Sequence, residues 1–510
     1  MALPEEIIHT PLSLLDYIPP RNYVRLLFPL ALLRGVKYQE VFRNLQEALR
    51  KTFVQEPWAR GKVFRRTTDI DVHGQLEIRF HPHSRDEGQP CQLRYHEIET
   101  DWTYADLQEC GFPANVFPED TLLLDAPRLG DVDGDGADIF LAQANFLPGG
   151  LLLAVTTSHA ATDAAGMLDL FKLWAENFRE LHARDAGGKI APSPFATQDR
   201  DRTLPDQLWR RAQRQGEKAK THCLDSRWLR GLVSLDSDPN TVGDSDQTQA
   251  MASTSLVPDD DLSSIHGRMI NRVLFLSGQD LATLQRECGA EPLPPGEGAI
   301  SASDAINALL WRGLLRARAA AAEARSKPLT DRHSVFESPV DVRGLWASDF
   351  PAHYLGNCFL LNTVQLPLAE LIAPSTSLGH IARALRRGAA RLDRHMAHEA
   401  YGLLQATEDL SRVRGRFVER IDSADLLVSN VMFLAMSDLS FGDRHFGHGG
   451  IPQSLRVLHA QYASSVRLAH ILPRNPNHGG VELSVNLFEE EMAYLEQDAE
   501  FNRFLVPIEM

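Results

Sequence analysis

The stretch that decides the fold is Leu151-Leu-Leu-Ala-Val-Thr-Thr-Ser-His159-Ala-Ala-Thr-Asp163-Ala-Ala-Gly166, followed by Met167-Leu-Asp-Leu-Phe-Lys-Leu-Trp174. The apolar run predicts a buried strand, and the spacing after Gly166 predicts a helix with one apolar face. A histidine then stands at the polar lip of a rigid strand, where the chain turns into a helix. Strand ends can open onto a cleft while the strand body stays fixed, a placement that suits a general base.

Upstream, Ile139 to Phe146 and the turn at Pro148-Gly149-Gly150 predict a hairpin whose outgoing strand carries His159. Val41, Leu45, Leu49 and Phe53 keep a spacing of four, one face of a helix over Tyr38 to Val54. Gly61 to Phe80 predicts a second hairpin around His73-Gly74. His9 to Arg25 is irregular, broken by Pro11, Pro19 and Pro20. Downstream, residues 184–260 are rich in Asp, Ser, Thr, Pro, Gln and Gly, most polar over Asp236 to Asp261, and predict a crossover between domains. A long helix is expected over Ser301 to Ala320, capped by Ser301 or Ser303, with Ile306, Leu309, Leu310 and Leu314 inward. Val335 to Arg343 predicts a strand ending in the charged pair Asp341 and Arg343. Further strands are expected near Leu426, Val466 and Val481, and a last helix from about Glu490 into Glu500. Strands and helices mix without strict alternation, so the expected class is α/β or α+β in two layers. Residues 1–195 and 263–510 are expected as two domains, with 196–262 as the linker.

At 510 residues the chain is too long for one ordinary core. A net charge of -16 and a pI near 5.6 disfavour nucleic acid or an anionic membrane as partner. Five scattered cysteines form no CxxC or Cys/His cluster, so neither a metal site nor a disulfide framework is signalled. The N-terminus lacks the order of a signal peptide, and the apolar run Leu26 to Leu33 is far short of a membrane span. The expectation is a cytoplasmic protein.

His159 is the only one of 19 histidines with an aspartate four residues on. Average composition gives about one such match by chance, so the motif alone is weak. Its companions are more specific. His159-Ala-Ala-Thr-Asp163 resembles the HxxxD motif of the BAHD family of acyl-CoA-dependent acyltransferases. Leu12-Ser-Leu-Leu-Asp16 with Pro20-Arg-Asn-Tyr23 resembles the opening of its fungal branch, the trichothecene 3-O-acetyltransferase-like members. Ser303-Asp-Ala-Ile-Asn-Ala-Leu-Leu-Trp311 is similar to the helix before the family's VDxR segment. Val340-Asp-Val-Arg343, then Tyr354-Leu-Gly356-Asn357, resembles that segment and its sequel. Ser440-Phe-Gly442 through Gly447 stands in the place of the DFGWG loop, with Ser440 for its aspartate and the tryptophan lost in an insertion.

The resemblance implies a two-domain CoA-dependent acyltransferase fold of mixed sheets and helices, with a tunnel between the domains. His159 would be the base, reached by acyl-CoA from one side and the acceptor from the other. Asp163 would turn away to pair with Arg343, and Gly166 would keep the wall beside the histidine low. Asn357 and Gly442 are expected near the substrate or CoA pocket. The implied reaction is O-acyl transfer, most simply from acetyl-CoA to a hydroxyl of a specialised metabolite. Acyl-CoA is then a co-substrate, with no bound cofactor, no metal and a monomeric chain. Two other readings are a carrier-protein-dependent condensation enzyme, against which Ser158 stands where a doubled histidine is usual, and a silent binding relative.

Asp131-Val-Asp133-Gly-Asp135-Gly136 matches half of a calcium loop, but its twelfth position is Ala142, so an acidic turn is expected. His445 and His448 are read as part of a solvated turn. Arg312, Arg316, Arg318, and Arg383, Arg386, Arg387, Arg391 are read as solvated helical faces, with a grip on CoA phosphates as the rarer alternative. Nothing matches a glycine-rich phosphate loop.

Overall fold

A computed structural model describes residues 7–68, 72–82, 90–113, 115–123, 132–183, 201–214, 230, 231, 233, 267–290, 292, 295–346, 350–413, 423–458, 467–474 and 479–508. The most polar part of the sequence, 236–261, lies outside the described residues; within the expected linker a helix is described at Leu204–Arg214.

Every residue of the strand Gly150–Ser158 is buried. Both of its edges are paired antiparallel, to Phe140–Leu147 across the Pro148-Gly149 turn and to Tyr23–Ala31. Such a strand has no wet face, which is why it reads as a continuous apolar run. Arg456–Val457 and Leu93–Glu97 complete a five-stranded sheet in the order Arg456–Val457, Tyr23–Ala31, Gly150–Ser158, Phe140–Leu147, Leu93–Glu97. The helices Tyr38–Gln55 and Ala164–Ala183 bury their apolar faces in the core beside this sheet, with Val41, Leu45 and Leu49 against the region of Leu170, Phe171 and Trp174. The hairpin around His73-Gly74 is present as Lys62–Arg65 and Leu76–Phe80, in a four-stranded sheet with Ile8–Pro11 and Ala137–Asp138.

The third sheet has seven strands, in the order Phe359–Pro367, His333–Asp341, Leu426–Asn430, Leu468–Ile471, Val481–Phe488, Met269–Leu276, Leu505–Pro507. One face, with Phe336, Val428, Ala469, Ile471, Leu483 and Val485, belongs to a second apolar core around the helix Ala302–Ala324. That helix starts in a capping box: Ser301 Oγ accepts from the Asp304 N–H at 3.1 Å, and the Ser301 N–H donates to Asp304 Oδ2 at 2.8 Å. The last helix is shorter than the sequence suggests and splits into Glu489–Leu495 and Ala499–Asn502, the second capped by Asp498.

The first core does not stop at the linker. Trp346, Tyr354, Tyr401, Phe441 and Phe446 belong to it although they follow residue 263. Arg456 links the parts further. Its guanidinium, 1% exposed, pairs with Glu482 of the seven-stranded sheet at 2.6 Å and donates to the carbonyls of Gly111 and Phe112. Among the described residues no helix is long and apolar enough to cross a membrane.

Candidate active site

His159 follows the last residue of its strand and is held by its backbone from both sides. Its N–H donates to Asn22 O at 2.9 Å, and its carbonyl accepts from Asn357 Nδ2 at 2.9 Å. Asn357 is fixed in turn by Asp16, whose Oδ1 accepts from both the Asn357 N–H and its Nδ2 at 2.9 Å. Asp16 is 1% exposed, and burial raises its pKa against the opposing charge of Arg202, which it meets at 3.2 Å. Arg202 Nη2 also donates to Ala161 O at 2.7 Å. Asp16 and Arg202 thus support the histidine loop from below, although the sequence singled out neither as a site residue. Asp16 closes the stretch Leu12-Ser-Leu-Leu-Asp16 that carries the resemblance, and the structure adds a capping box between it and Ser13.

Asp163 points away from the histidine. Its Oδ1 accepts from Arg343 Nη2 at 2.9 Å and from the Gly166 N–H at 3.1 Å, and its Oδ2 accepts from the Cys358 N–H at 2.9 Å. Arg343 adds bonds to the carbonyls of Tyr354 and Gly356 and to Asp341. Burial alone would lower the Arg343 pKa, but the Asp163 carboxylate, with Asp341 beside it, holds it above the ordinary value. The pair bolts the HxxxD loop to the VDxR segment, and both charges carry further hydrogen bonds, as a buried ion pair requires.

Burial lowers the His159 pKa, opposed by the nearby backbone carbonyls and the Asp163 charge. The ring is therefore neutral at neutral pH. Nδ1 is buried and makes no hydrogen bond of normal geometry, although its own carbonyl lies close enough to favour the protonated ring. The imidazole leans on Phe359, with ring centroids 6.2 Å apart.

The ring opens onto a cavity of about 180 Å³. One wall comes from Tyr23, Leu26 and Phe28 with the helix residues Ala164, Met167 and Phe171. The facing wall is the second face of the seven-stranded sheet, where alternate residues Glu337 and Pro339, Leu427 and Ser429, Leu468 and His470 are presented together. A second cavity, of about 250 Å³, lies apart, between Trp58, Phe80, Arg202 and Tyr354. His159 does not line it, so the cavity that His159 lines is the candidate site.

Gly166, Asn357 and Gly442 are not among the lining residues. A Cβ at Gly166 would lie 2.7 Å from Leu355 O, so this glycine permits backbone approach in place of clearing the substrate path. Asn357 supports the His159 carbonyl from behind. Gly442, at φ 82°, sits in the Ser440 loop, where Ser440 Oγ accepts from the Gly442 N–H at 3.2 Å and donates to Gly449 O at 2.6 Å. Phe441 of this loop meets Trp174 and Phe178 edge-on, and Asp438 stands 3.6 Å from Lys172. The loop is a core anchor, held by the Ser440 hydroxyl.

The other sequence candidates are also placed. His445 is buried and bonds Asn44 at 3.1 Å, so it is not part of a solvated turn. Arg312 and Arg318 are each 2% exposed, not solvated: Arg312 pairs with Glu500, and Arg318 donates to Asp425 O at 3.0 Å, because their helix runs through the second core. In the acidic turn, Asp133 pairs with Arg65; Asp131 lies outside the described residues. Among the described residues no group of His, Cys, Asp and Glu is arranged to hold a metal.

Residues 114–502 match the Transferase family, and residues 23–177 match the Trichothecene 3-O-acetyltransferase-like N-terminal domain. The chain belongs to the Transferase family. It is 27% identical to the isocyanide synthase-NRPS hybrid crmA of Aspergillus fumigatus, over 97% of this chain but only 31% of that protein. It is 24% identical to the acyltransferase cm3D of Cordyceps militaris, over 99% of this chain and 97% of the relative. The crystal structure of F. sporotrichioides TRI101 complexed with coenzyme A and T-2 superposes with a TM-score of 0.73 at 19% identity, covering 98% of this chain and all of the other. The fold, mixed α/β as expected from the sequence, is thus shared over 98% of this chain, and the resemblance to the fungal branch is borne out.

Proposed function

We propose that this chain is an acyl-CoA-dependent O-acyltransferase that moves an acetyl group from acetyl-CoA to a hydroxyl of a specialised metabolite. The observation that carries this reading is a neutral, buried His159 presented by a rigid strand end into a mostly apolar cavity. The match to a 3-O-acetyltransferase-like domain supports the acyl group, and a solved relative that binds coenzyme A supports the donor. As the acceptor hydroxyl attacks the thioester carbonyl, His159 takes its proton and the new C–O bond forms. The tetrahedral intermediate collapses, the C–S bond breaks, and the imidazolium returns the proton to the departing thiolate. Products are the ester and free CoA. Asp163 and Arg343 are positioning residues that fix the loop. Chemistry of this kind needs a base that is unprotonated at working pH, which the depressed His159 pKa provides.

The test is release of the CoA thiol and formation of ester by the intact chain, compared with His159→Ala. Loss of turnover by about 10²–10⁴ is expected for removal of a general base. Unchanged turnover would sink the assignment. The likeness to part of an NRPS hybrid favours a second reading, in which the donor is an acyl group on a carrier protein. Turnover with a loaded carrier and none with acetyl-CoA would select it. We also propose a monomeric, cytoplasmic chain built of 1–195 and 263–510 joined through 196–262. Sedimentation reads the first point, cell fractionation the second, and limited proteolysis with cuts confined to 196–262 the third.

A further inference from the structure

Three polar groups of the candidate cavity share one wall, apart from Asn22, Tyr23, Arg25 and His159, which line it elsewhere. Glu337, Ser429 and His470 lie on three neighbouring strands, His333–Asp341, Leu426–Asn430 and Leu468–Ile471, and all three line the cavity. Register puts Ser429 beside His470 and Glu337 beside Leu427, two residues from Ser429 on the same face. Neighbouring strands are ~4.8 Å apart and alternate residues of one strand ~6.6 Å apart, so the three side chains form one patch. Much of the remaining lining is apolar, including Leu26, Phe28, Met167, Phe171, Leu434 and Leu455. Arg25, the cation of the lining, is paired with Glu119 at 3.0 Å.

What such a patch binds follows from its donors and acceptors. A carboxylate offers about four lone-pair positions, so a protein partner still leaves room for a donor from a ligand. Burial pulls the His470 pKa down to about 4, so its ring is neutral and both donates and accepts. Ser429 does the same. A hydroxyl donates and accepts at one atom; an ammonium could satisfy Glu337 but, having no acceptor, would offer nothing to the Ser429 hydroxyl and the His470 N–H. At roughly 10–15 Å³ of such space per water, the cavity of about 180 Å³ has space for about 12–18 waters, room for a small ring system.

We propose that Glu337, Ser429 and His470 dock a second hydroxyl of the acceptor, remote from the one acylated, so that the substrate class is a diol or polyol with an apolar body. This rests on the acyl-transfer reading above and deepens it. The experiment uses the intact chain, acetyl-CoA and matched probes: cyclohexanol against 1,4-cyclohexanediol, and 2-decalol against 2,6-decalindiol, with 4-aminocyclohexanol as the cationic arm. A diol advantage of tenfold or more in kcat/KM is expected, carried mainly by KM. Glu337→Gln and Ser429→Ala should each cut the advantage to near one; if either variant misfolds, as circular dichroism would show, the other carries the comparison. Binding is read apart from chemistry in the His159→Ala chain saturated with CoA, where the diols should raise the melting temperature more than the mono-alcohols. Equal shifts and equal kcat/KM for diol and mono-alcohol overturn the inference while leaving acyl transfer intact. Preference for the amino alcohol overturns the hydroxyl assignment. No thiol release with any alcohol, together with no CoA-dependent melting shift, removes the acyl-transfer reading and this inference with it.

Discussion

His159 and Asp163 divide the work that their spacing would let one imagine as shared. Asp163 commits both oxygens to structure, to Arg343, Gly166 and Cys358, so in the proposed reaction His159 works without a carboxylate partner. A base set up by burial has a characteristic pH profile. The His159 pKa is below 6.5, so kcat/KM should stay flat through neutral pH and fall only on the acid side, with its midpoint under 6.5. A midpoint above that value would contradict the desolvated site. The same shift bears on stability. A histidine kept neutral in the fold binds its proton more readily when unfolded, so its contribution is present above the unfolded pKa and is lost as pH falls. Arg343→Ala is a different case. It strands the Asp163 carboxylate in a buried place, which costs about 3–5 kcal/mol, and frees the histidine loop. Melting temperature and turnover should fall together; normal melting with lost turnover would mean that Arg343 acts on substrate directly.

The elements explain why some of this was legible and some was not. The strand Gly150–Ser158 and the hairpin before it could be read because burial on both faces leaves an unbroken apolar run. The helix Ala302–Ala324 announced itself by its cap and its apolar spacing. Its arginines misled, because charge suggests water: Arg312 and Arg318 are internal, and their head groups meet a carboxylate and carbonyls from segments far away in sequence. Asp163 and Arg343 could be paired only through family resemblance, since no periodicity links residues that distant. Glu337, Ser429 and His470 carry no motif at all; only strand register brings them together. Gly166 was legible as necessary but not for the right reason. Because Leu355 O sits where a Cβ would go, Gly166→Ala should destabilise by ~1–3 kcal/mol, read by chemical denaturation. A neutral result would mean that the helix Ala164–Ala183 can shift without loss.

At the scale of the whole molecule, the cavity is lined by surfaces from both sides of residue 263, and the first core runs across the same point. Arg456 and Glu482, both buried, tie the five-stranded sheet to the seven-stranded one. Heat should therefore unfold the chain in one transition with coincident far- and near-UV signals; two resolved steps would show that these contacts are too weak to couple the sheets. Acetyl-CoA at about 100 times its Kd should stabilise that single transition by ~2.7 kcal/mol, and a shift confined to one of two steps would locate the donor on one part alone.

The strand Arg456–Val457 lies at the edge of a sheet whose other strands come from the first third of the chain. During synthesis, Tyr23–Ala31 emerges early, and the residues that cover the flank at Leu26 and Leu27 arrive several hundred residues later. At ~5–20 residues per second that is tens of seconds with an apolar edge uncovered beside the ribosome, a natural landing place for a chaperone. Nascent chains stalled before Arg456 should accordingly be recovered with chaperones bound, and chains stalled well after residue 457 with fewer.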